Sequence, residues 1–217
     1  MKIHAFTKTF EGRCVLDFPG FDFVPGKVYA VIGANGSGKT TFARCLCGIT
    51  RPDNGANPAG DARIGYLPQK SYAFRMSTRR NIRLGADEKQ AEELMAALDL
   101  LPLADKPGYR LSGGETAKMA LARILPRSYD LLAFDEPTAA MDMESMLTAE
   151  RLIAERARKN DAAIVLITHS LQQARRLADE VLFFHKGRLM EYGAADALLT
   201  APSTTELQQF LEFYGAV

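Results

Sequence analysis

Three glycines, a lysine and two adjacent hydroxyls share one short run, Gly33-Ala34-Asn35-Gly36-Ser37-Gly38-Lys39-Thr40-Thr41. The run fits G-x-x-x-x-G-K-S/T, a phosphate-binding loop. Gly33, Gly36 and Gly38 let the backbone bend until its N–H groups face one anion. A helix starting near Gly38 would aim its positive end at the same point. Lys39 can reach β- and γ-phosphates, and the Thr40 hydroxyl is a hard oxygen ligand for Mg²⁺. Kinases, GTPases, motors and transporter ATPases all use such a loop, so the reaction has to be read from other residues.

Two acids are the first of these. Leu131-Leu132-Ala133-Phe134 runs into Asp135-Glu136. At the carboxyl end of a parallel strand such a pair faces the ligand crevice. Asp135 can orient Mg²⁺ and its waters, and Glu136 can take a proton from an attacking water. Leu111-Ser112-Gly113-Gly114-Glu115 is a second glycine-rich helix start. It is either a second anion site or simply a capped helix. His169 ends an apolar run, where a lone histidine is more often structural than catalytic. Phe10 reads equally well as core packing and as a surface for stacking on a base.

These residues need a scaffold. Val28–Ile32 is a short β-rich apolar run and predicts a buried strand. Phe42, Leu46 and Ile49 then follow at helical spacing, with Gly48 as a C-cap. Residues 2–32 predict short strands, with turns at Pro19-Gly20 and Pro25-Gly26. Residues 50–62 form a loop, and Ile64–Leu67 is a strand ending at Pro68-Gln69. Asp87 caps a helix in which Ala91, Leu94 and Leu98 share a face. Residues 70–110 hold little β-rich sequence and form a small helical insert. Ser112 opens a helix carrying Met119 and Ala122 on one face. A helix over Glu144–Lys159, a strand over Ala162–Ile167 and a short helix over Leu171–Ala178 come next. Val181–Phe184 and Arg188–Glu191 flank the hairpin signal Lys186-Gly187. Ser203-Thr204-Thr205-Glu206 is a capping box opening a last helix, with Leu207, Phe210 and Leu211 inward. Alternating strands and helices imply an α/β fold with a largely parallel sheet. We expect one domain, 1–217. Residues 1–69 and 111–217 would make the catalytic core, with an antiparallel β subdomain, and 70–110 the helical subdomain.

Composition excludes several classes. The formal net charge is +1, so no global field attracts nucleic acid or an anionic membrane. No apolar run reaches the ~20 residues that span a bilayer. The opening Met1–Lys8 has no long apolar core, so a secretory signal is not expected. Cys14, Cys45 and Cys47 form an odd, sparse set and read as buried thiols of a reducing, cytoplasmic protein.

Taken in order, the motifs resemble the nucleotide-binding subunit of ABC transporters. They are the loop Gly33–Thr41, Gln69 after Tyr66-Leu67-Pro68, the signature Leu111–Glu115, the acidic strand Leu131–Glu136, Ala139-Ala140-Met141-Asp142, and Thr168-His169. The resemblance implies a P-loop NTPase core hydrolysing ATP with Mg²⁺. It implies that Phe10 stacks on adenine and that Gln69 contacts Mg²⁺ or the attacking water. Glu136 becomes the general base, and His169 contacts the γ-phosphate. Ser112, Gly113, Gly114 and the adjoining Glu115 would border ATP held by a second copy in a head-to-tail dimer, with Asp142 at that contact. The other implied partners are a membrane permease and a secreted solute-binding protein, with the chain peripheral on the inner membrane face. No nucleic acid partner is implied.

The chain departs from the family pattern at four places. Phe10 replaces the commoner Tyr, Glu115 stands where Gln is usual, Lys118 where Arg is frequent, and Met141 where Leu is usual. The stretches Glu136–Ser145 and Phe210–Gly215 are similar to ATPases of oxyanion importers, particularly the tungstate-uptake branch. Alternatives are another small-solute importer, an exporter, or a soluble non-transport ABC ATPase. The last would require a coiled-coil insertion or tandem cassettes, for which 217 residues leave no room. A GTPase would require an Asn-Lys-x-Asp guanine reader, which is absent.

Overall fold

The computed structural model describes residues 1–159 and 161–215. The fully apolar runs become the centre of an eight-stranded sheet. Its strands are β2 (Phe6–Phe10), β3 (Arg13–Phe18), β5 (Val28–Ile32), β6 (Ile64–Leu67), β7 (Leu131–Asp135), β8 (Ala163–Ile167), β9 (Glu180–His185) and β10 (Arg188–Ala194). The spatial order is β2-β3-β10-β9-β5-β8-β7-β6. From β9 to β6 every neighbouring pair is parallel. The β2–β3 hairpin and the β9–β10 hairpin are antiparallel and meet through a parallel contact at Asp17 and Arg188. Separately, β1 (Lys2–Ile3) pairs with β4 (Phe21–Asp22).

Both faces of the parallel strands are covered, which is why they carry no polar alternation. Tyr29, Val31, Ala133, Val165 and Ile167 pack on one face against α1 (Lys39–Leu46). On the other face, Leu132, Phe134, Ile164 and Leu166 meet α4 (Gly113–Ile124) and α5 (Met143–Arg158). Ala30, Ile32, Val181 and Phe183 meet α6 (Leu171–Leu177), α7 (Ala195–Thr200) and α8 (Thr205–Gly215). The helical segment contains α2 (Thr78–Ile82) and α3 (Glu88–Ala97). Asp87 caps α3 through a full capping box with Gln90. Its core is Ile82, Ala91, Met95 and Leu98, completed by Met119 and Ala122 from α4.

Three local expectations need correction. Helix α1 stops at Leu46, because Cys47 caps it and Gly48 leaves the helix at φ 69°; Ile49 is therefore exposed. Cys14 is exposed rather than buried. It lies near the tip of the β2–β3 hairpin, opposite a register shift at Lys8/Thr9, where the sheet runs past its core. Cys45 is buried and Cys47 half-buried, and burial pushes their thiols up to about 11 and about 12. Neither is a ready thiolate near neutral pH. Finally, the capping box at Ser203 is not formed as expected. Thr204 Oγ1 accepts the Leu207 N–H, and Glu191 from β10 accepts the N–H groups of Ser203 and Thr204.

Candidate active site

Strand β5 delivers the phosphate loop from the middle of the sheet. Gly33 (φ 147°) is pressed against β9, and a Cβ there would lie 2.2 Å from the Phe184 carbonyl oxygen. Only glycine fits so close an approach. The loop turns through Ser37 N–H to Ala34 O (3.1 Å), and Gly38 at φ 100° starts α1. Glycine brings no side chain to cap that helix, so its first N–H groups stay directed at the loop. Asn35 and Gly36 form the exposed tip, and Thr41 lies half-buried one turn inside. The Lys39 ammonium is folded into the loop, 2.6 Å from Gly33 O and 3.0 Å from Ala34 O. Burial lowers its pKa, while the Glu136 and Asp135 carboxylates oppose that shift.

The parallel register sets the acids beside this loop. Leu67, Phe134, Leu166 and Ala30 form one row across β6, β7, β8 and β5; Asp135, Ile167 and Val31 form the next. Gln69, Glu136, His169 and Gly33 therefore leave the sheet at one edge. Asp135 is 2% exposed and accepts the Tyr66 hydroxyl at 3.1 Å. Burial raises its pKa; hydrogen bonds from Tyr66 and Thr40 pull it back. Glu136 has φ 49°, uncommon for a non-glycine residue, and its N–H donates to Ile167 O at 2.9 Å. The Glu136 carboxylate Oε2 lies 2.9 Å from His169 Nδ1. His169 is thus not buried in the core but sits exposed at the carboxylate.

Gln69 is exposed at the end of β6. Phe10 is 48% exposed on the β2–β3 hairpin, with the Lys8 ammonium 5.1 Å from its ring centre. That exposure excludes core packing and leaves a free aromatic face. Tyr66 was not expected as a site residue. Only the cross-strand pairing of β6 with β7 reveals it.

The Ser112 turn is a well-formed helix cap. Ser112 Oγ accepts the Glu115 N–H, and Glu115 Oε2 accepts the Ser112 N–H at 2.8 Å. The same Glu115 oxygen takes Lys106 Nζ at 2.9 Å. The extra charge relative to Gln is therefore paired within the chain, and the Lys106 contact holds the Glu115 carboxyl below its usual range. Nothing lies within 4 Å of a Cβ built on Gly113, and Gly114 faces Ala140 O. The structure thus does not bring this turn onto the phosphate loop of its own chain. Lys118 Nζ bonds Ser145 Oγ, and Ser145 in turn bonds Asp142, the N-cap of α5.

The Glu115–Lys106 pair can be tested. Glu115→Gln keeps the capping box and removes the ion pair, which is partly exposed and worth under about 1 kcal/mol. A lowered carboxyl pKa contributes stability above the ordinary Glu range and loses it as pH falls through the folded value. The variant should therefore melt slightly below wild type at neutral pH, and the gap should close in acid. A gap unchanged at acid pH would show that the charge is not its source.

A sheet of this topology, with a phosphate loop on its central strand and a carboxylate pair one strand removed, defines a P-loop nucleotide hydrolase. The comparisons narrow the class. The family model "ABC transporter" matches residues 16–139. The chain is 37% identical over 200 residues to the tungstate uptake system ATP-binding protein TupC of Peptoclostridium acidaminophilum, covering 85% of this chain and 94% of that one. It is 33% identical over 213 residues to the zinc import ATP-binding protein ZnuC of Halorhodospira halophila, covering 95% and 82%. A solved ATP-binding subunit of an ABC transporter superposes with a TM-score of 0.82 at 22% identity, over 99% of this chain and 98% of that one. The chain belongs to the ABC transporter family, as one of its ATP-binding subunits. Such subunits bind and hydrolyse ATP. Among the described residues, no helix is long and apolar enough to cross a membrane.

Proposed function

We propose that this chain hydrolyses ATP to ADP and phosphate to power a separate membrane permease importing tungstate or a related oxyanion. The observation that carries the hydrolytic part is the 2.9 Å contact between Glu136 and His169 at the mouth of the phosphate loop. Phe10 offers its free face to adenine. The N–H groups of Gly33–Thr41 and the Lys39 ammonium take the phosphates. The chemistry requires a nucleophilic water, and Glu136 is the base that accepts its proton, with Gln69 helping to orient it. His169 holds the Glu136 carboxylate through one ring nitrogen and presents the other toward the γ-phosphate. Thr40 and Asp135 fit Mg²⁺ well: both offer hard oxygen ligands, and the buried Asp135 carboxylate has the Glu136 carboxylate beside it. Mg²⁺ bound there would neutralise charge developing on the phosphate oxygens. Nothing lies within 4 Å of a Cβ built on Gly113, and this open end of α4 suits a site that Ser112, Gly113, Gly114 and Glu115 complete for a second copy. In this reading 1–69 and 111–217 form the catalytic core and 70–110 the helical subdomain of one domain.

The permease is assigned to the groove between β6 and α4, beside the helical segment. Tyr72, Phe74 and Leu84 are exposed there, and Arg123 lies about 5 Å over the rings of Tyr72 and Phe74. An apolar and basic rim of this kind can receive a short permease helix. The chain would then sit on the cytoplasmic membrane face, fed by a secreted solute-binding protein. Tungstate is favoured by a relative 37% identical over 200 residues and matched over 94% of its length; a sulfonate-import relative is also 37% identical, over 190 residues and 73% of its length, and others carry names for zinc and phosphate import.

Uptake measurements test this. Deleting the chain should abolish high-affinity uptake of labelled tungstate and leave unrelated solutes unaffected. Re-expressed Phe74→Asp should fail to restore uptake while the purified variant retains basal ATP hydrolysis. Unchanged tungstate and molybdate uptake in the deletion, with no redundant importer present, would remove the cargo assignment and leave the ATPase standing.

A further inference from the structure

Behind the Glu136–His169 pair lies a buried polar network that neither residue belongs to. Thr138 follows Glu136 and Pro137 on the loop leaving β7. Gln173, 2% exposed, sits on the first turn of α6, directly after Ser170 and His169. Its amide nitrogen donates to Thr138 Oγ1 at 2.9 Å and to Glu150 Oε1 at 3.0 Å. Glu150, 4% exposed on α5, accepts a two-pronged contact from Arg176, both arms at 2.8 Å. The Gln173 N–H bonds Ser170 Oγ, and the Ser170 N–H bonds Thr168 Oγ1, bracketing His169.

The chemistry of these groups dictates their orientation. A carboxylate only accepts, so Glu150 turns the Gln173 amide with its NH₂ inward. Arg176 pairs with Glu150 through both carboxylate oxygens. The Gln173 NH₂ is then spent on two acceptors, one on α5 and one on the Glu136 loop. A single amide thus ties three segments, those carrying Glu136, His169 and α5. Glu136 itself holds a left-handed backbone conformation, which persists only where the surroundings over-determine it.

We propose that Thr138, Gln173, Glu150 and Arg176 are positioning residues that hold Glu136 and His169 in register for hydrolysis. This rests on Glu136 being the base. Displacing a base by about 1 Å is enough to cost about a hundredfold in rate, and loss of one tether should cost less.

Thr138→Val removes the acceptor at constant shape, and Thr138→Ser keeps it. In Thr138→Val, kcat for ATP should fall about tenfold, with KM within about twofold and a cooperative melt. Thr138→Ser should stay near wild type. Should Thr138→Val fail to fold, Arg176→Gln, altered at the network's exposed end, should lower kcat severalfold with the same unchanged KM. Wild-type kcat in a folded Thr138→Val protein, or in Arg176→Gln where that one is used, overturns the proposal, provided Glu136→Gln is inactive. An active Glu136→Gln protein would instead overturn the base assignment on which the proposal stands. Equal falls in kcat and melting temperature that Thr138→Ser does not rescue would mark the network as structural only.

Discussion

Glu136→Gln should retain ATP binding and lose roughly two or more powers of ten in turnover, the usual worth of a general base. The amide keeps the shape of the side chain and can still bond His169 Nδ1, now 2.9 Å from the carboxylate. It cannot accept the proton that an attacking water must release. Binding should survive because the phosphate contacts proposed for Lys39 and the Gly33–Thr41 backbone are left untouched by the change. ATP would then persist between two copies, and a dimer should accumulate that light scattering detects. Turnover within a few-fold of wild type would exclude Glu136 as the base.

The second large effect concerns assembly. Lys39→Ala removes the ammonium that lies against Gly33 O and Ala34 O, and with it the cation proposed to take the phosphates. Ser112→Arg fills the open end of α4, where nothing lies within 4 Å of a Cβ built on Gly113. Each variant alone should be inactive, because every site in its homodimer is damaged. A mixture should recover activity. In the mixed dimer the damaged loop meets the damaged cap, and the intact loop meets the intact cap, giving one competent site. Specific activity of the wild type should also rise with protein concentration. Full activity from dilute, demonstrably monomeric protein would defeat the shared site.

What could be read in advance was local. The phosphate loop is one contiguous run whose glycines and lysine have no common structural substitute. The strands around it were legible because Val28–Ile32, Leu131–Asp135 and Ala163–Ile167 are apolar at every position before their ends. Contacts across the sheet were not legible. Tyr66 reaches Asp135 only because β6 pairs with β7 in one register, and no spacing rule reports that. Gln173 looks like the polar face of a short helix, yet it is buried, since its partners Thr138 and Glu150 arrive from other segments. His169 was ambiguous for the same reason: its role depends on Glu136, 33 positions away. Cysteine count says nothing of where in the sheet each thiol falls, and Cys14 sits near the hairpin tip, beyond the core, so it is exposed.

Helix α4 has one side in the sheet's core, through Ala120, Leu121 and Ile124, and the other in the helical segment, through Met119 and Ala122. It is therefore held on two sides by two hydrophobic clusters, one under the sheet and one in the helical segment. Its 12 residues make a stiff rod about 18 Å long. A tilt of roughly 10° about the Ile124 end would carry Ser112 sideways by about 3 Å, the whole length of a hydrogen bond. A modest push on the groove at Phe74 would thus arrive at the cap magnified, and a force at the cap would return to the groove reduced in travel but increased in strength.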